Sequence, residues 1–204
     1  MTRKNHKCGF NLIEAAIVLG VVGLVIGGIW IAAATVSENQ KIATFEKDLL
    51  IIVRNMQSLV SKMDSSGLGD GENLASFALS AKIFPDSWVN NFSDEWSGFH
   101  TPWNGYASIT SFSPGVAWDG FRVYAYSVPQ GACIKLVRKL TGYFAKSGNS
   151  LAFKHLQISS SDDGNADITA DIDSTQIPLI ATTTHCAAST TNLLMFTFDY
   201  TRIN

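Results

Sequence analysis

Residues 15–34 are twenty consecutive positions without a charge, and nothing else in the chain limits its fold as tightly. About 20 helical residues cross the hydrocarbon layer of a bilayer, and ten of these twenty are Leu, Ile or Val. At roughly −0.3 to −0.6 kcal/mol each, they favour insertion by about 3–6 kcal/mol. Glu14 stands directly before the run. Even at the bilayer centre a carboxylate would cost at most about 2.5–3.5 kcal/mol, and at the end of the run it costs less, so insertion wins. Arg3, Lys4, His6 and Lys7 come first in the chain. Such a basic flank stays cytoplasmic, which leaves everything after the apolar run outside.

Other N-terminal readings fit less well. A cleaved secretory signal has an apolar core of about 7–15 residues, shorter than this one, although Ala32-Ala33-Ala34 imitates its cleavage site. A lipoprotein needs an apolar stretch before its cysteine, and none precedes Cys8. An ordinary single-pass anchor with Glu14 at the interface explains the apolar run but not the order around it. That order is Gly9-Phe10-Asn11-Leu12-Ile13-Glu14, a small residue before a large apolar one, with a carboxylate four positions after Phe10. A carboxylate among apolar helices is costly alone and tolerable beside a cation, because a low dielectric strengthens the pairing that offsets desolvation.

The segment resembles the processing site of type IV prepilins and of the related pseudopilins of type II secretion. In that family a membrane peptidase cuts after the glycine and methylates the new terminus. The resemblance implies that Gly9 ends a leader, Phe10 becomes the first mature residue, and Glu14 meets the terminal amine of a neighbouring subunit.

The 204 residues fit one globular domain plus an anchor. Losing residues 1–9 removes three cations and takes the formal charge from −2 to −5. No basic stripe then remains to neutralise phosphates, which argues against a nucleic-acid partner. Only 16% of residues are charged, so the surface is expected to be rich in Ser, Thr, Asn and Gly. Cys133 and Cys186 form an even pair beyond the leader, and in an exported domain that reads as a disulfide. It would close a loop of about 54 residues and contribute about 4 kcal/mol in the chain-entropy model. His185 and His155 permit a zinc reading, but their spacing fits no zinc pattern.

Beyond the anchor, Ile42, Phe45, Leu49, Ile52, Val53, Met56, Leu59, Val60 and Met63 recur mostly every three or four residues. They make one apolar helical face, with Lys41, Glu46, Lys47, Asp48, Arg54 and Lys62 largely away from it. No proline occurs before Pro85, so one helix is expected from about residue 11 to 63, about 80 Å long. Gly20, Gly23, Gly27 and Gly28 lie in its apolar half, where small residues let helices approach closely. The Gly-rich run 65–71 ends the helix; it follows a helix rather than a strand, so a dinucleotide-binding reading fails on context.

A short helix over 74–82 is expected next, then loops carrying Trp88, Phe92, Trp96, Phe99 and Trp103. Those aromatics could present a sugar-stacking surface; packing of a long loop onto the domain is the favoured reading. Strands are expected at 106–112, 121–128, 153–158 and 192–201, and a helix at 131–144. The acidic stretch Asp162, Asp163, Asn165, Asp167, Asp171, Asp173 could supply oxygens to calcium, yet it lacks the spacing of the twelve-residue calcium loop, so it reads as a solvated polar loop. Among the recurrent catalytic motifs none occurs, so no enzyme activity, cofactor or metal site is expected.

Two further stretches extend the resemblance. Thr101-Pro102-Trp103-Asn104-Gly105 is similar to the Pro-Trp-Gly-Gly turn of many pilins, with Asn104 in place of a glycine. Val128-Pro129-Gln130-Gly131-Ala132-Cys133 looks like the Val-Pro-x-x-Ala-Cys stretch of type IVb prepilins of the PilS kind. Cys133 and Cys186 fall where that group has its C-terminal disulfide. A nine-residue leader and Phe10 as first mature residue depart from many type IVb members.

The resemblance implies an α+β fold, with a long N-terminal helix packed on a twisted antiparallel β-sheet. Four segments are expected: leader 1–9, transmembrane and polymerisation helix 10–36, amphipathic half of the same helix 37–66, and head domain 67–204. It also implies a structural subunit held in the inner membrane by a single pass, N-terminus cytoplasmic, and then polymerised into an extracellular filament for adhesion or cell–cell contact such as conjugation. Its partners would be other pilin subunits, the prepilin peptidase, the inner-membrane assembly machinery and, before assembly, membrane lipid. A minor pilin or tip adhesin, or a pseudopilin of a type II secretion system, would share the same N-terminus.

Overall fold

The computed structural model describes residues 11–60, 69–89, 99–113, 120–147, 153–159, 168–173, 186 and 191–199. Helix α1 is Leu12–Val60. The chain divides into two units, Met1–Gln40 and Lys41–Asn204.

In the first unit the helix starts where Asn11 can cap it. The Asn11 side-chain oxygen accepts the Ile13 N–H at 3.2 Å, which satisfies one of the free amides of the first turn. From there the chain is helical and almost wholly exposed. Leu12, Leu24 and Trp30 are more than 70% accessible.

In the second unit the same helix turns amphipathic. Ile42, Phe45, Leu49, Ile52, Val53 and Met56 are all buried, on the spacing the sequence shows, while Lys41, Lys47 and Arg54 are exposed. Met63 and Lys62 lie outside the described residues. Asp48 departs from the expectation: it is buried, because it stands three residues after Phe45 and four before Ile52, on the apolar face itself.

The buried face lies on a six-stranded sheet formed by β1 (Phe99–His100), β2 (Tyr106–Phe112), β3 (Gly120–Pro129), β4 (Phe153–Ser159), β5 (Ile168–Asp173) and β6 (Thr191–Asp199). Their order is β1-β2-β3-β6-β4-β5, and every pairing is antiparallel. Alternation puts one row of each strand inward. The register aligns these rows: Ile109 faces Val123, Val123 faces Phe196, and Phe196 faces Leu156. A second row runs Ala107, Ala125, Leu194, Ile158. All eight are buried. Phe121 and Phe198 stack with ring centroids 4.9 Å apart, and Phe153 meets Phe198 at 5.8 Å.

Helix α2 (Ala75–Ser80) is one short piece shorter than the expected 74–82. Before it, residues 69–74 lie along the outer edge of β2: the Gly71 N–H donates to the Ser111 carbonyl, the Ser111 N–H to Glu72, and the Leu74 N–H to Ile109. That edge would otherwise expose unpaired backbone groups. Asp70 adds a side-chain anchor, accepting the Ser113 N–H at 2.9 Å and pairing with Arg122 at 3.1 Å. Arg122 also lies over the Phe112 ring.

Helix α3 (Gln130–Ser147) follows β3 without a loop. Ala132, Cys133, Leu136, Val137 and Leu140 form its buried face. It begins one residue earlier and ends three later than the sequence pattern predicts. The larger correction is β5. Asp171 and Asp173 belong to a strand that pairs with β4, His155 opposite Asp173 and Gln157 opposite Asp171, so this part of the acidic stretch is not a solvated loop. Ile168, Ala170 and Ile172 alternate with Thr169, Asp171 and Asp173, the period of two that marks a strand, and the run of carboxylates obscures it. Residues 162–167 and 200–204 lie outside the described residues.

Candidate functional site

Glu14 occupies the first turn of α1 and is exposed. A carboxylate there sits well against the positive end of the helix dipole. Gly9 and Phe10, expected as the cleavage and methylation positions, lie outside the described residues. The helix that follows is long and apolar enough to cross a membrane, and none of its most apolar window is buried. A Cβ added at Gly20, Gly23, Gly27 or Gly28 would meet nothing within 4 Å. Among the described residues, therefore, nothing requires glycine at these four positions.

The second unit holds the remaining sequence-expected positions. Cys133 and Cys186 are joined by a disulfide with Cα atoms 5.8 Å apart, and both are fully buried. It ties the first turn of α3 to the segment ahead of β6. The Cys186 carbonyl accepts the Asn192 side-chain amide at 3.4 Å. Among the described residues no three metal-ligating side chains come together; His185 lies outside them.

The described aromatics of the loop turn inward. Trp88 and Phe99 are buried, and Trp103 packs half-buried against the core. Phe99 stacks on Phe84 with centroids 3.8 Å apart. Phe45 of α1 meets Trp88 at 5.3 Å, Trp103 at 5.5 Å and Phe196 at 6.2 Å. One helix side chain thus touches the loop, the turn and the sheet. These three aromatics serve packing and cannot form an open sugar-stacking surface; Phe92 and Trp96 lie outside the described residues.

The turn at 101–105 is closed by two backbone bonds, Thr101 N–H to the Gly105 carbonyl at 2.8 Å and Asn104 N–H to the Thr101 carbonyl at 2.9 Å. Asn104 has φ 63°, a left-handed conformation that asparagine tolerates better than most residues. It can therefore replace the glycine of the related turns. Gly105 is not replaced without cost: a Cβ would run into the Tyr126 carbonyl and lie 2.9 Å from the Ser127 Cβ. Ser127, at φ 54°, is in the bulge where the β3–β6 register shifts between Ala125 and Val128.

The sequence pattern missed Asp48. Its Oδ2 accepts the Trp88 indole N–H at 2.8 Å. Burial pushes the Asp48 carboxyl above its ordinary value, opposed by hydrogen bonds from Trp88 and Ser87 and by the charge of Lys47. The signal was its place on the apolar stripe, where a carboxylate needs a buried donor.

The model of the family described as "PilS: PilS N terminal" matches residues 39–199. No curated protein matches in sequence. Among solved structures, the chain is similar to a type IV b pilin from Salmonella typhi at TM-score 0.54 and 17% identity, covering 77% of this chain and 99% of that one. TcpA, a type IV pilin from Vibrio cholerae El Tor biotype, matches at TM-score 0.49 and 15% identity, covering 78% of this chain and 98% of that one. The long helix laid on an antiparallel sheet is the fold of the Salmonella typhi pilin.

Proposed function

This chain belongs to the PilS N terminal family, and from that premise we propose that it is a structural pilus subunit that polymerises through its N-terminal helix. The reading rests above all on an exposed apolar helix that carries one acid in its first turn. Before assembly the helix spans the inner membrane once, and the head lies outside. Cleavage after Gly9 by the prepilin peptidase frees the Phe10 amine, which is then methylated. The assembly machinery brings an incoming subunit whose Glu14 pairs with that amine on a subunit already in the filament. Apolar helices then replace lipid contacts with one another, and Gly20, Gly23, Gly27 and Gly28 allow close backbone approach. The leader 1–9, the polymerisation helix 10–36, the amphipathic half 37–66 and the head 67–204 each serve one stage. The assembled extracellular filament would act in adhesion or cell–cell contact such as conjugation.

Mass analysis of the mature N-terminus tests the first step: a methylated Phe10 is expected, and a chain isolated from filaments with residues 1–9 still attached refutes it. Gly9→Ser should block maturation. Glu14→Ala should leave cleavage intact and lower filament yield; an undiminished yield removes its pairing role.

A further inference from the structure

We infer that Asp48 and Trp88 form a proton-sensitive latch, which holds residues 83–89 against α1 most firmly when Asp48 is protonated. Side-chain bonds fasten the segment to the helix at both ends. At one end Asn55 donates to the Ile83 carbonyl at 3.2 Å, and at the other Trp88 donates to Asp48 at 2.8 Å. The helix positions are seven residues apart, about two turns, and only the Asp48 bond can titrate.

The setting of that bond makes its charge state matter. Asp48 is 6% and Trp88 1% exposed, and Trp88 is packed by Phe45 and by Phe84, whose ring centroid is 5.8 Å away. On α1, Lys47 is the one charged side chain among the described residues that acts on Asp48. From the facing segment, the neutral groups Ser87 and Trp88 bear on it. A buried carboxylate without an ion-pair partner loses more hydration than neutral donors restore. The protonated acid still accepts the indole N–H through its carbonyl oxygen and carries no such penalty.

The sign follows. With the folded-state value raised, the stabilisation is fully present below the unfolded value, near 4, and is lost as pH rises through the folded value. The latch also has somewhere to transmit: the Trp88 carbonyl accepts the His100 N–H at 2.8 Å, and Val89 bridges Phe99, so residues 83–89 join α1 to the β1 edge of the sheet.

Amide hydrogen exchange on the full chain in detergent micelles, corrected for intrinsic rates, tests this on peptides covering 83–89. Wild type should lose protection by about threefold or more between pH 4.5 and 7, with β3 unchanged. Asp48→Asn should be equally protected at both pH values. Ser87→Ala removes a donor to the carboxylate and should move the loosening to higher pH. Equal wild-type protection at both pH values overturns the latch. So does a parallel loss in β3, a pH dependence that survives Asp48→Asn, or a midpoint that Ser87→Ala leaves in place or lowers.

Discussion

Truncating Phe45 to alanine tests how the head is held together, because that ring is where helix, loop, turn and sheet meet. Phe45 is fully buried, and Phe→Ala in a core costs about 3–5 kcal/mol. Its ring centroid lies 5.3, 5.5 and 6.2 Å from Trp88, Trp103 and Phe196. Such pairs are worth about 0.5–1.5 kcal/mol each beyond area burial, which places this site at the upper end of the range. Against a total stability of about 5–15 kcal/mol for a domain, that is at least a third. At about 2–4 °C per kcal/mol for a head of this size, Tm should fall by roughly 10–20 °C. Phe45→Leu keeps an apolar side chain there and gives up the three ring pairs, so a loss of about 1.5–4.5 kcal/mol is expected. Near-UV circular dichroism suits the measurement, because it reports the packing of Trp88 and Trp103, whereas the helical signal of residues 12–40 persists in micelles. A loss below about 1 kcal/mol for Phe45→Ala would refute the claim that this side chain organises the core.

Three other outcomes follow from the same packing. Replacing Cys133 and Cys186 together by serine should lower stability by about 4 kcal/mol from the loop of about 54 residues alone, seen as a lower denaturant midpoint; an unchanged midpoint would refute the claim that the bond stabilises the head by constraining the unfolded chain. Gly105→Ala should cost about 1–3 kcal/mol through its collision with the Tyr126 carbonyl, while Asn104→Gly should stay within about 1 kcal/mol because φ there is already left-handed; both are read by thermal denaturation, and equal effects would contradict the turn geometry. Arg122→Ala should cost about 1 kcal/mol, shared between the half-exposed Asp70 pair and the Phe112 contact, and the cost should shrink in high salt; a loss independent of salt would assign it to packing alone.

Much of this architecture is legible in the residues. Ile42 to Met56 and Ala132 to Leu140 state their buried faces by spacing, since a helix against a sheet must show one apolar stripe. The alternation at 121–125 reads correctly, yet the bulge after Ala125 does not, because Ser127 is an unremarkable residue until the register places it. Charge alone puts Asp48 on the solvent side, although its position on the stripe speaks for burial. Whether a carboxylate is buried depends on a donor forty residues away, Trp88, which local pattern cannot supply. Glu14 is proposed for assembly from its place at the mouth of the apolar run. Nothing in the intramolecular packing marks it, since its proposed partner is another chain.

The strand order carries a consequence for how the head is made. Among the described strands β3 and β4 are connected only through β6, so a chain emerging in sequence order holds two partial sheets, β1-β2-β3 and β4-β5, each with an open side. Residues 191–199 are the keystone that turns them into one. Until they arrive the two waiting edges lack their partner strand and are open to pairing with other chains. The disulfide at Cys186, just ahead of β6, fastens the chain a few residues before that closing insertion.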